Sequence, residues 1–295
     1  MAAALTNLGW VAHAGGDLAA AGVLYQEALD VRRSLGDGHG TAVVMANLGD
    51  LALQQGDLDR ADAVHREGLD LRRRVGDRSG VADSLTALGR VALARGDRAT
   101  SRRLHTEALA TRRRLGDRPG MPASLSALAE LARLDGDAST AATLLEESLT
   151  VATDLDDRHC VTLSLLHLAR LARDQGDAPR ADALYRRAAP AGLSAADRSK
   201  DDHEVPPTAS TATWLEGLGA IAVADGRHER AACLLGAADA LRQAIGTPLP
   251  AHEAADRNDS VAGCSAGLGP RRFHSAYGEG RAMSLVDAAR LGLSR

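Results

Sequence analysis

The sequence predicts an all-α solenoid of antiparallel helix pairs. A recurring phrase carries that expectation. LTNLGWVAHAGGD returns as MANLGDLALQQGD, LTALGRVALARGD, LSALAELARLDGD and LLHLARLARDQGD, with the closing Asp at 17, 57, 97, 137 and 177. The period is therefore 40 residues, and no run alternates with the period of two that a half-buried strand needs. Aromatic residues make up only 2% of the chain, so the core has to be Leu, Ala and Val, which suits closely packed helices.

One unit, residues 41–80, shows why each element forms. Met45, Leu48, Leu51 and Ala52 recur at the spacing of one helix face. Gly56 can take the left-handed conformation that ends a helix, and Asp57 can accept the free N–H groups that open the next one. The second helix carries Ala61, Val64, His65, Gly68 and Leu69 as a single stripe. Gly76-Asp77 stops it, as Gly36-Asp37 and Gly116-Asp117 stop its counterparts. The clusters Arg32-Arg33, Arg72–Arg74 and Arg112–Arg114 fall in last turns, where the helix dipole favours cations by about 0.3–1 kcal/mol. They are read as helix-end charges and not as nucleic-acid contacts. A pair this short cannot bury its apolar face alone, and stacked copies bury it against each other.

Leu and Gly in helix one, then Ala, a bulky residue and Ala in helix two, form a recurring signature. It reads Leu8, Gly9, Ala21, Tyr25 and Ala28 in the first copy, and Leu48, Gly49 and Ala61 in the second, with His65 and Gly68 departing from it. The third copy has Leu88, Gly89 and Ala108, with Ser101 and His105 as departures. The fourth and fifth replace the Gly by Ala129 and Ala169, keep Ala141 and Ala181, and add Tyr185. A sixth reads Leu218, Gly219, Ala231, Leu235 and Ala238. This resembles the tetratricopeptide repeat in a longer-helix form without the closing proline. The resemblance implies a right-handed superhelix whose first helices line a concave side that binds protein or peptide. Five repeats are expected over 1–190, a polar linker with Lys200 and Pro206-Pro207 over 191–211, the sixth repeat over 212–246, and a helical cap over 247–295.

A narrower likeness covers the tail. Leu234-Leu235-Gly236-Ala237-Ala238, Ile245-Gly246, Pro248-Leu249-Pro250, Gly280-Arg281 and Met283-Ser284-Leu285 are similar to the C-terminal ends of large ATP-binding bacterial transcriptional regulators, LuxR-type or antibiotic-regulatory-type. The glycines of SVAGCSAGLGP, residues 260–270, argue against a continuous helix there, at about 1 kcal/mol each. The single lysine, Lys200, sits in RSKDD, so no P-loop is present, and no basic recognition helix remains once the repeats are assigned. The likeness implies the sensor or assembly arm of such a regulator. Its implied partner is an ATPase or a DNA-binding protein.

The candidate site is the first-helix face. The residue after each Leu-Gly pair runs Trp10, Asp50, Arg90, Glu130, Arg170 and Ala220. The residue before it runs Asn7, Asn47, Ala87, Ala127, His167 and Gly217. Asn7 and Asn47 can donate to and accept from an extended peptide backbone. Arg133 and Arg173, one turn on, add positive charge. The alternating signs of Asp50, Arg90, Glu130 and Arg170 also fit a self-paired ladder. A small effector held in the groove and an oligomerisation arm are the alternatives to peptide binding.

Other motifs carry less. GCSAG at 263–267 has the spacing of a nucleophile elbow but no preceding strand, and reads as a loop. GLGAIA at 217–222 lies within a helix, not after a strand. HEAAD at 252–256 has Asp where a zinc-binding helix needs His, and reads as a solvated helix. Cys160, Cys233 and Cys264 form neither a disulfide framework nor a zinc site. No enzyme activity, cofactor or metal is expected. Formal net charge is −4, against direct nucleic-acid binding, and no apolar run is long enough for a membrane span. MAAALTNLGW lacks the basic start of a signal peptide, and a cytoplasmic location is expected. The first repeat begins without a polar cap. Leu5, Leu8, Val11 and Ala12, with Leu24 and Tyr25 opposite, are expected to form an exposed apolar end, as in a fragment or partner-dependent arm of a larger regulator, which docks another domain or a second copy there.

Overall fold

The structure, a computed structural model, describes residues 1–189, 208–247, 249 and 251–294. Among the described residues there are fifteen α-helices and no strand. Most of the expected linker, with Lys200 and Pro206-Pro207, lies outside them, as do the side chains of His252 and Glu253. The chain forms two compact units, Met1–Val151 and Ala152–Arg295.

The N-terminal unit is a run of helix pairs: α1 (Ala2–Ala14) with α2 (Leu18–Ser34), α3 (Gly38–Gln54) with α4 (Leu58–Val75), α5 (Arg78–Ala94) with α6 (Arg98–Leu115), and α7 (Met121–Leu134) with α8 (Ala138–Asp154), within which the unit boundary falls. The Gly-Asp punctuation works as its chemistry requires. Gly56 has φ of 79°, and Asp57 then accepts the Arg60 amide at 3.1 Å. Asp17, Asp37, Asp77 and Asp97 cap the following helix in the same way, each accepting the amide three residues on. Each such cap contributes about 1 kcal/mol.

Core clusters lie between successive pairs. Tyr25, Ala28 and Leu29 of α2 pack with Val44, Met45, Leu48 and Leu51 of α3. Leu69 of α4 meets Ala82, Leu85 and Leu88 of α5, and Leu109 of α6 meets Leu125 and Leu128 of α7. Every leucine buried in this way contributes about 1.5–3 kcal/mol, and its partner belongs to the neighbouring copy. That is the physical reason for writing the phrase repeatedly.

The C-terminal unit holds α9 (Arg158–Asp174) with α10 (Ala178–Arg187), α11 (Ala209–Ala224) with α12 (His228–Ala244), and then α13 (Ala251–Leu268), α14 (Pro270–Ala282) and α15 (Leu285–Leu293). Trp214 is fully buried, and its indole N–H donates to the Tyr185 carbonyl at 2.7 Å. Two glycines let α12 and α14 touch backbone to backbone. A Cβ on Gly236 would lie 2.2 Å from the Tyr277 carbonyl oxygen, and one on Gly280 would lie 2.0 Å from that of Cys233.

Three sequence expectations are corrected. Residues 251–268 form one continuous helix, so GCSAG is helix interior and not a loop. Its glycines are packing positions: a Cβ on Gly263 would lie 2.8 Å from Val223, and one on Gly267 2.2 Å from His228. Tertiary contact outweighs helix propensity there, and buried Cys264 packs with Ala222, Ala231 and Leu235. Asp256 is not simply solvated, because it is gripped by two arginines. Tyr25 is fully buried and forms no part of an exposed N-terminal end, while Leu5 and Ala12 pack partly onto the first cluster.

Candidate functional site

In the N-terminal unit the first helices of the four pairs carry the predicted polar row. The buried leucines Leu48, Leu88 and Leu128 fix the rotation of α3, α5 and α7, which leaves Asp50 half-buried and Arg90 exposed but Glu130 buried. Trp10 is 63% exposed. Asn7 is exposed and Asn47 half-buried. Arg90 donates from Nη1 to Asp50 Oδ1 at 3.1 Å, joining two neighbouring pairs. Glu130 is buried, and Arg133 of the same helix grips both its oxygens at 2.9 Å. The predicted row is thus two local pairings with an amide and indole end: Asp50 meets Arg90 across repeats, whereas Glu130 meets Arg133 within one helix.

Beneath this row lie two histidines at the position Tyr25 occupies in the first repeat. His65 and His105 are buried against Gly49 and Gly89, where a Cβ would lie 2.4 Å and 2.5 Å from the rings. Neither ring nitrogen of His105 has a hydrogen-bond partner among the described residues. Burial, reinforced by the Arg90 and Arg112 guanidiniums, pushes its pKa down to about 4. Burial also lowers that of His65, against the raising influence of Asp50 at 3.8 Å. Both imidazoles are therefore neutral core groups at neutral pH.

The arginine clusters split in a way that the sequence reading missed. The first arginine of each turns inward. Arg72 Nη1 donates to the Gly80 carbonyl at 2.7 Å and Ser84 Oγ at 2.8 Å. Arg112 donates to Thr86, Ser124 and Asp83, and Arg32 pairs with Asp37. These side chains tie one pair to the next. The second arginine stays outside: Arg33 meets Glu67 and Arg113 meets Glu147. The available signal was the serine at 84 and 124, recurring in step with Arg72 and Arg112.

The C-terminal unit gathers the remaining predicted residues. His167, Arg170 and Arg173 on α9 line a cavity of about 130 Å³ together with Tyr185 of α10, Glu216 of α11 and Asp256 of α13. Asp256 Oδ2 accepts from Arg170 Nε at 2.9 Å and from Arg173 Nη2 at 3.0 Å. Glu216 is held by Arg242 through two 2.8 Å bonds. Burial raises the Tyr185 hydroxyl pKa, and the nearby Arg173 and Arg170 oppose that rise. Asp256 was outside the predicted site because it lies beyond the repeats, where the 40-residue period gives no register.

Stacked antiparallel pairs with a polar first-helix face define a helical-repeat scaffold. Family models described as "Tetratricopeptide repeat" match residues 1–74 and 80–154, half of the chain, and a further one matches 163–187. The chain belongs to the tetratricopeptide-repeat family, whose members typically bind proteins. The crystal structure of BtubC (BKLC) from P. vanneervenii is similar over 78% of this chain and 92% of that one, with 20% identity and a TM-score of 0.58. A crystal structure of a variant of the Podosopora anserina putative kinesin light chain nearly identical TPR-like repeats is similar over 63% of this chain and 91% of that one, with 18% identity and a TM-score of 0.50. At these identities the likeness concerns the fold. A comparison with curated proteins gave no match. Among the described residues no helix is long and apolar enough to cross a membrane, and no group of three or more His, Cys, Asp or Glu side chains is placed to hold a metal ion.

Proposed function

We propose that the N-terminal unit binds an extended peptide segment of a protein partner on its first-helix face, as a non-catalytic scaffold. The exposed Trp10 carries this reading, since a large aromatic left in water beside amide side chains is the composition of a recognition surface. Asn7 and Asn47 supply backbone-matching donors and acceptors, and the exposed Asp50–Arg90 pair supplies charge selection. The regulator-like tail, from Leu234 to Leu285, supports a partner in transcription or signalling, with an ATPase or DNA-binding protein as its class.

A peptide library read by fluorescence tests this directly. Trp10 is the exposed one of the two tryptophans, so an occupying peptide blue-shifts its emission while Trp214 stays constant. Asn47→Ala and Arg90→Glu should each weaken the selected peptides about tenfold, equivalent to about 1.4 kcal/mol, with helicity unchanged. Peptides indifferent to both substitutions would reject the face. Arg133 is unsuited to this test, because reversing its charge sets a second carboxylate against the buried Glu130.

A second reading rests on a separate observation. Leu8 and Val11 are 56% and 60% exposed, whereas Leu48 and Leu51, their counterparts one repeat on, are 4% exposed. The outer face of α1 is therefore an uncovered copy of a surface buried between the inner pairs, and it suits self-association through the first repeat.

A further inference from the structure

We propose that the cavity of the C-terminal unit is a binding site for a short-chain aliphatic carboxylate, whose carboxylate takes the place of Asp256 on Arg170 and Arg173. This site lies in the other unit from the peptide face and does not depend on that reading.

A carboxylate receptor is already built there. Oδ2 of Asp256 accepts from Arg170 Nε at 2.9 Å and from Arg173 Nη2 at 3.0 Å, and lies in ion-pair contact with Arg170 Nη2 at 2.7 Å. Two charge-assisted N–H donors from two guanidiniums on one oxygen belong to the strong class of hydrogen bonds to a carboxylate. The acid that fills this receptor arrives on α13, outside the repeat pairs that carry the arginines. It is also the outermost of the three: its side chain is 33% exposed, against 11% for Arg170 and 22% for Arg173. Asp256 can therefore swing toward solvent and leave both arginines in place. The exchange swaps one carboxylate for another, so no charge is stranded.

The space beside the receptor sets the rest of the ligand. At about 130 Å³ it is close to the size of a cavity that accepts benzene, so it suits roughly six non-hydrogen atoms. Leu163, Leu166 and Leu249 give it an apolar wall for an aliphatic tail. Tyr185 borders it because α11 has Gly217 there: a Cβ would lie 2.2 Å from the ring. Two further lining residues are held in place, Glu216 by Arg242, and Arg257 by Asp239 and the Tyr277 hydroxyl. Propionate and butyrate match the head, the tail and the volume together.

Calorimetric titration of the full chain with propionate, butyrate, butyramide, inorganic phosphate and N-acetylvaline tests the site. Saturable binding of butyrate but not butyramide is expected, tightening about tenfold or more in Asp256→Ala, where the internal competitor is gone. Arg170→Gln with Arg173→Gln should abolish it. N-acetylvaline distinguishes the source of the carboxylate: binding tighter than butyrate points to a peptide end, weaker to a free acid, and both uphold a carboxylate site. Equal binding of phosphate or butyramide would overturn it, as would binding seen only in Asp256→Ala, since that shows an engineered vacancy. If the double arginine variant does not fold, nuclear Overhauser contacts between butyrate and the methyls of Leu163 and Leu166 in the unaltered protein decide, and their absence refutes the proposal.

Discussion

His105 shows how a single side chain can set the acid stability of the N-terminal unit. It belongs to α6 and is fully buried against Gly89 of α5, with both ring nitrogens unpartnered among the described residues, and it is neutral when folded. Its folded pKa is about 4, below the 6.5 of an unfolded histidine, so between those values the unfolded chain binds the proton first. Stability is then fully present above pH 6.5 and falls as pH drops toward 4, by on the order of 3 kcal/mol. His65, lowered for the same first reason, adds in the same direction. Leu145 and Leu235 occupy the matching position in the fourth and sixth repeats, so His105→Leu should fold. Urea denaturation across this pH range should show a visibly flatter profile for that variant, and an unchanged slope would remove His105 from the account. The imidazole was legible in the sequence as a departure from the repeat signature, but its missing partners were not, because they depend on what packs against Gly89.

At the scale of elements, glycine means opposite things at two places in one helix. Gly280 of α14 faces the Cys233 carbonyl of α12, so a methyl group there must push the helices apart. Gly278, two residues earlier, has nothing within 4 Å of its would-be Cβ. Gly280→Ala should cost about 1–3 kcal/mol through overpacking. Gly278→Ala should gain about 0.5–1 kcal/mol through helix propensity and lower unfolded-chain entropy. Chemical denaturation of the two variants checks the contrast, and equal effects would contradict the α12–α14 packing. The same distinction explains the misread stretch from Ser260 to Pro270. Propensity argued for a loop, whereas Gly263 and Gly267 let α13 approach Val223 and His228 closely enough to offset that cost. The inward arginines belong to this scale as well: Arg72 and Arg112 look like helix-end charges in sequence and act as ties between pairs in the fold.

At the scale of the stack each repeat covers only its neighbour, and the outer face of α1 is exposed at Leu8 and Val11. If the outer face of α1 pairs with that of a second copy, sedimentation velocity should show a dimer that grows with concentration. Leu8→Glu with Val11→Glu should abolish it while circular dichroism stays the same, since neither side chain contributes to a core cluster. A unit that remains monomeric at every concentration would reject self-association through that face.

Much of the fold was set by local chemistry that the sequence carries openly. Gly-Asp pairs end one helix and cap the next within a few residues, and the leucine stripe has the period of a helix, so the pairs and their repetition were readable in advance. The predicted first-helix residues from Asn7 to Arg173 likewise occupy first helices, because the repeat period fixes their register. Side-chain partnership was decided only in three dimensions. Whether Arg90 meets Asp50, whether Arg133 turns back to Glu130, and whether Arg170 is claimed by Asp256 86 residues away depend on which helices lie side by side. A period encodes which face a residue occupies, but the distance between two charged groups, and hence their use, is fixed by packing.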